Sequence, residues 1–147
     1  MMSETYILIA EDDPDDRFLL QTAFEEVNST CELKFVENGV ELLDFLHAAA
    51  ASERPNRFPA FVLLDLNMPR KDGREVLAEL KTSDVFQAIP VIIFSTTNNE
   101  HEMKRCYELG ANSYITKPSS FERLQHTVLA LCDYWIQPEQ VSARLEA

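Results

Sequence analysis

The sequence predicts an α/β domain, a doubly wound five-stranded parallel sheet with five helices. Three observations carry this reading. Apolar strand-like runs alternate with helical patterns five times along 147 residues, without repeats or low-complexity tracts. The run FVLL at 61–64 is apolar at every position, as a strand covered on both faces must be. A helix between successive strands requires parallel pairing through crossovers. The length suits one domain with its own core, and a hydrophobic fraction of 46% is ordinary for a globular chain.

Each element follows from local chemistry. TYILIA (5–10) reads as the first strand, and Asp13-Pro14 then supplies an N-cap followed by proline at the first helical position. Leu20, Ala23, Phe24 and Val27 recur at helical spacing. CELKFVE (31–37) alternates as a strand nearer a sheet edge does. Asn38-Gly39 reads as a turn, and Leu42, Leu43 and Leu46 mark the second helix. SERPNRFP (52–59) is the longest predicted loop, ahead of the FVLL strand. Asp72-Gly73 opens a helix bearing Val76, Leu77 and Leu80. Pro90 introduces VIIFS as the fourth strand, and Met103, Cys106 and Tyr107 fall on the helix after it. NSYIT (112–116) is the fifth strand. The last helix aligns Phe121, Leu124, Val128, Leu131 and Trp135 on one stripe, with Pro138 as its limit.

Composition narrows the function classes. Acidic residues outnumber basic ones by 25 to 13, a formal net charge of -12, and no Lys/Arg cluster could neutralise phosphates. Direct nucleic-acid binding is not expected. No apolar stretch approaches the roughly 18 residues of a membrane span, so no membrane partner is expected. The N-terminus MMSETYILIAEDD has no basic head and is not expected to be a secretory signal. Cys31, Cys106 and Cys132 fit no disulfide or zinc pattern and suit a reduced, cytoplasmic compartment as core thiols. His47, His101 and His126 fall on predicted helices without ligand spacing, so no catalytic histidine is assigned.

Function gathers where the strands end. In such a sheet, ligands bind beyond the carboxyl ends of the strands at a switch in strand order. The first strand ends in Glu11-Asp12-Asp13, the third in Asp65, the fourth in Ser95-Thr96-Thr97, and the fifth in Lys117-Pro118. Glu11, Asp12 and Asp65 brought together would repel one another unless a cation shared the site. Oxygen-only ligands suit Mg2+. Lys117 and the metal would neutralise an incoming phosphoryl group, Ser95 would hydrogen-bond one of its oxygens, and Asp65 becomes a candidate nucleophile. The backbone carbonyl of Asn67 could turn toward the same ion. Asp13, Asp15 and Asp16 read as cap and first-turn residues favoured by the helix dipole.

AEDDPDD, LLDLNMPRKDG, FSTT and SYITKP, in this order and spacing, resemble the receiver domain of two-component response regulators over about residues 5–135. The resemblance implies a flavodoxin-like strand order 2-1-3-4-5. It also implies one receiver domain over 1–147, with a short tail at 136–147 and no output domain. By position, Asp65 would accept phosphate from a sensor histidine kinase. Asp12 would bind Mg2+ directly (Mn2+ or Ca2+ could substitute), Glu11 would act mainly through water, and Asn67 would lend its carbonyl. Ser95 and Lys117 would hold phosphoryl oxygens. Tyr114 would be the aromatic whose rotation accompanies Ser95, although its bare reading is a half-buried strand aromatic. The Lys117–Pro118 bond would be cis. RKDGREVLAELK, the 52–59 loop, STTNNE and the YW ending further resemble cyanobacterial phytochrome-associated regulators. That implies a phytochrome as kinase and a homodimer through the face of the fourth helix, fifth strand and fifth helix. Phe121, Tyr134, Trp135 and Ile136 could extend that face, with Trp135 equally open to intramolecular packing. Glu11 departs from the commoner Asp, Ser95 from a frequent Thr, and Asn67 and Thr97 occupy positions that tune autodephosphorylation.

The expected role is a phosphoacceptor signalling domain, which assists its own phosphorylation and dephosphorylation without being a turnover enzyme. Alternatives within this role are a shuttle to a histidine phosphotransfer protein and a degenerate receiver that only binds. A haloacid-dehalogenase-type phosphatase would need an aspartate where Asn67 stands. A flavodoxin-like cofactor binder or a P-loop hydrolase would need a Gly/Ser/Thr-rich loop where AEDDPDD stands.

Overall fold

The computed structural model describes residues 5–27, 31–54 and 57–136. Pro138 and the tail beyond Ile136 lie outside the described residues. Five strands and five helices alternate in chain order. They are β1 (Tyr6–Ala10), α1 (Pro14–Glu26), β2 (Glu32–Val36), α2 (Gly39–Ala50), β3 (Phe61–Leu64), α3 (Gly73–Lys81), β4 (Val91–Ser95), α4 (Glu100–Glu108), β5 (Ser113–Thr116) and α5 (Phe121–Trp135). The sheet runs β2-β1-β3-β4-β5 with every pair parallel. The order reverses between β1 and β3, which opens a crevice at their carboxyl ends.

Strand alternation sorts the core into two layers. Ile7 and Ile9, Phe61 and Leu63, and Ile92 and Phe94 pack toward α1 and α5 with Leu20, Phe24, Val128 and Leu131. Leu8, Val62, Leu64, Val91 and Ile93 face the other way, onto Leu42, Leu46, Val76, Leu77 and Cys106. Each fully buried Leu, Ile or Phe contributes roughly 1.5–3 kcal/mol, so the central strands are the least movable part of the molecule. β2 alternates exposed and half-buried positions up to Val36, as an edge strand should. Cys106 and Cys132 are buried and Cys31 is half-buried.

Every helix starts on a short polar cap. Asp13, Asn38, Asp72, Asn99 and Ser120 each accept a backbone N–H of the first turn, worth about 1 kcal/mol apiece. Asn38 is therefore the α2 cap rather than a turn residue. The arrangement resembles a capping box shifted by one residue: Asn38 accepts the Glu41 N–H at 2.9 Å, while Glu41 accepts the N–H of Glu37, the residue before the cap, at 3.0 Å. The segment before β4 had no readable periodicity, yet it delivers Phe86 and Ile89 to the core. Phe86 meets the rings of His47 and Phe58 edge-on. Tyr107, by contrast, is exposed on α4.

The Lys117–Pro118 bond differs from the expectation. No described peptide bond is cis, and this one takes trans, the intrinsically favoured isomer of an X–Pro bond.

Candidate functional site

Glu11, Asp65 and Lys117 sit one position past the ends of β1, β3 and β5, and their backbones still belong to the sheet. The Glu11 N–H donates to Val36 O, the Asp65 N–H to Ala10 O, and the Lys117 N–H to Ser95 O, at 3.0, 3.2 and 2.7 Å. Rigid apolar strands thus aim polar side chains at one rim. That is why a carboxylate follows FVLL directly: strand burial fixes Asp65 where a loop residue would wander.

The side chains converge. Oxygens of Glu11, Asp12 and Asp65 lie within 4.8 Å of one another. Lys117 Nζ donates to Glu11 Oε1 at 2.7 Å and to Asp16 Oδ2 at 2.9 Å, and stands 3.7 Å from Asp65 Oδ2. It also lies 5.8 Å from the centre of the Phe94 ring, a cation–π contact. The Asn67 N–H donates to Asp65 Oδ1 at 3.3 Å, and the Asp13 N–H to Glu11 Oε2 at 3.2 Å.

Burial dominates the electrostatics. Glu11 is 2% exposed; desolvation pushes its carboxyl to about 7, although the hydrogen bond and charge of Lys117 pull the other way. Desolvation likewise raises Asp65, against Lys117 and the Asn67 N–H. Burial disfavours the Lys117 ammonium, but its bonds to Glu11 and Asp16 and the charge of Asp65 outweigh that and raise its pKa. One ammonium thus serves Glu11, Asp16 and Asp65, and the raised Glu11 and Asp65 ionise more readily once a further cation shares the site. An all-oxygen set of this kind fits a hard divalent cation. Glu11, Asp12 and Asp65 could hold such an ion.

Ser95 is fully buried, and its Oγ accepts the Thr97 N–H at 3.2 Å. The Tyr114 ring is buried beside it and donates its hydroxyl to Thr97 O at 2.7 Å. Burial pushes the Tyr114 phenol up, partly offset by the Ser95 hydroxyl. The two residues expected to move together are thus joined through Thr97.

Two features went unread in the sequence. Asp16 is not merely a first-turn charge, because it shares the Lys117 ammonium. No local signal marked it, because its partner lies 101 residues away. Arg74 on α3 grips both Asp72 oxygens at 3.0 and 3.1 Å and also pairs with Glu102, tying α3 to α4. The residues expected on a dimer face behave unequally. Tyr134 is 76% exposed, while Phe121, Trp135 and Ile136 are half-buried against the α1/α5 core. Trp135 meets Tyr134 edge-on at 4.7 Å. Among the described residues, no helix is long and apolar enough to cross a membrane.

Comparison with known proteins identifies the family. Residues 7–129 match the family described as the response regulator receiver domain. FilR2 of Methanothrix harundinacea, described as a probable methanogenesis regulatory protein, is 37% identical over 130 residues, 88% of this chain and 83% of its own. The response regulator Rcp1 of Synechocystis sp. is 36% identical over 131 residues, 89% of this chain and 88% of its own. Its Mn(2+)-bound crystal structure superposes with a TM-score of 0.78 at 34% identity, covering 91% of this chain and 96% of that one. The phosphorylated cyanobacterial phytochrome response regulator RcpA superposes with a TM-score of 0.81 at 35% identity, covering 92% and 96%.

Proposed function

The chain belongs to the response regulator receiver-domain family of two-component signalling, and from that membership we propose that Asp65 is its phosphoacceptor, loaded by a sensor histidine kinase. The observation that carries this reading is the convergence of Glu11, Asp12, Asp65 and Lys117 at the β1/β3 switch point. An Asp65 oxygen attacks the phosphorus of a phosphohistidine. The P–O bond of an acyl phosphate forms as the P–N bond breaks, and the electron pair leaves with the imidazole. Mg2+, or Mn2+ in its place, would be held by Glu11, Asp12, Asp65 and the Asn67 carbonyl; when bound it supplies positive charge against the phosphoryl oxygens. Lys117 contributes the second positive charge. The Ser95 hydroxyl gives up the Thr97 N–H to reach a phosphoryl oxygen, and Tyr114, joined to Thr97, carries that change toward α4 and β5.

The output is a change in a protein-binding face. A groove along β5 and α5 combines Ile115, Leu131, Tyr134 and Trp135 with the polar Asn112, Ser113 and Thr127, a mixed surface suited to a homodimer. The kinase we propose is a phytochrome, because RcpA carries that description. The comparable identity to FilR2 favours a second reading, a kinase with no light input.

The test is intact mass after incubation with acetyl phosphate and Mg2+. The native protein should gain one phosphoryl group, and Asp65→Asn or EDTA should abolish the gain. Gain by Asp65→Asn would overturn the assignment. Gel filtration tests the dimer separately, and a monomer with and without phosphorylation would exclude it.

A further inference from the structure

Asp16 has a role that neither its helix position nor the proposed phosphoacceptor chemistry requires. Lys117 Nζ is bonded to two carboxylates, Glu11 and Asp16, and does not bond Asp65, from which it stands 3.7 Å. The two bonded partners differ in kind. Glu11 is buried, and its backbone N–H is pinned in the sheet by Val36 O. The Asp16 side chain is 36% exposed on the first turn of α1. Glu11 therefore fixes where Lys117 points, while Asp16 is a partner that water can replace at little cost.

We infer that Asp16 is a positioning residue that holds the Lys117 ammonium in the phosphate-free state and competes with the phosphoryl group for it. This rests on Asp65 being the phosphoacceptor. A phosphoryl group on Asp65 draws Lys117 toward Asp65; Asp16 releases it and becomes hydrated. While it stays bonded, Asp16 places a negative charge on the same ammonium that must neutralise an incoming dianion. It thus biases the domain toward the unloaded form. Its neighbour Asp15 is a useful contrast: it carries the same charge and is exposed, and its backbone N–H donates to the Asp13 cap.

The probe is beryllofluoride, a noncovalent mimic of the phosphoryl group, titrated with saturating Mg2+ into native protein, Asp16→Asn, Asp16→Glu and Asp15→Asn. Native-like circular dichroism and melting are required of each. Asp16→Asn keeps the shape and an acceptor oxygen but loses the charge, and should bind about two- to fivefold more tightly, the range of a partly exposed ion pair. Asp16→Glu should stay near native, and Asp15→Asn should be unchanged. Unchanged or weaker binding by Asp16→Asn would overturn the competition. Equal tightening by Asp15→Asn would assign the effect to overall charge and overturn it as well. Failure of the native protein to bind beryllofluoride while it binds Mg2+ would instead overturn the phosphoacceptor reading, and the competition with it.

Discussion

Replacing Gly73 by alanine should destabilise the protein and disable Asp65, although alanine is the better helix former. Gly73 is the first residue of α3 and does not need a positive φ. Alanine's gains are therefore those of helix propensity, up to about 1 kcal/mol, most of it the reduced flexibility of the unfolded chain. Against them stands contact. A Cβ here would lie 2.5 Å from Asp65 O and 2.7 Å from Leu66 Cα, where carbon normally sits about 3.5–4.0 Å from its neighbours. Both obstacles are backbone, and both are clamped. The Asp65 N–H is bonded to Ala10 O, and Leu66 O accepts the Gly73 N–H at 2.9 Å. Overpacking of this sort costs about 1–3 kcal/mol or more; the short contacts put it at the upper end, beyond the gains. A net loss near 1–2 kcal/mol should lower Tm by about 2–8 °C in a chain of this size. Because the displaced atoms are those of Asp65 itself, phosphate gain from acetyl phosphate should fall more than stability does. Gly39→Ala is the control. Its Cβ would strike Lys71 O at 2.5 Å and the Val76 side chain at 2.6 Å, in the same region but away from Asp65. It should cost similar stability and less phosphate gain. A Tm raised by Gly73→Ala, or equal loss of phosphate gain in both variants, would refute the reasoning.

Metal-free protein should lose stability as pH rises between 4.5 and about 7, because burial makes Glu11, and with it Asp65, hold a proton to higher pH in the folded state than in the unfolded chain. The folded state binds the extra proton there, so the slope is negative, up to about 3 kcal/mol in total. Melting in EDTA across this range checks it: Glu11→Gln should flatten the slope, and an unchanged slope would count against it. Tyr114→Phe removes the hydroxyl bonded to Thr97 O and should cost about 1 kcal/mol in urea unfolding. Arg70 has φ 69, a left-handed conformation that costs a non-glycine residue about 1–2 kcal/mol. After glycine's extra unfolded-state entropy is subtracted, Arg70→Gly should still raise the urea midpoint slightly; a lower midpoint would refute the strain.

What could be read in the sequence was what is local. The strand ends were legible because FVLL passes straight into Asp65 and TYILIA into Glu11, so a polar residue marked where burial stopped. The caps Asp13 and Asp72 were legible because each precedes a helical pattern. Pairing across the chain was not. Lys117 and Asp16 are 101 residues apart, and Arg74 and Glu102 are 28 apart; nothing in either neighbourhood predicts its partner. Phe86 and Ile89 were missed because their segment has neither helical nor strand period. Trp135 read equally as a packing residue and as part of a dimer face, and Ile136 as part of that face; helix rotation turns both partly inward while leaving Tyr134 outside.

The central claim concerns one carboxylate, and it can be tested by locating the phosphate. Protein treated with acetyl phosphate and Mg2+ is reduced with borohydride, which converts an acyl-phosphorylated aspartate to homoserine, and the peptides are then mapped by mass. We expect the reduced residue at Asp65 and at no other carboxylate. Reduction at Glu11, Asp12 or Asp16 instead would contradict the assignment of the phosphoacceptor.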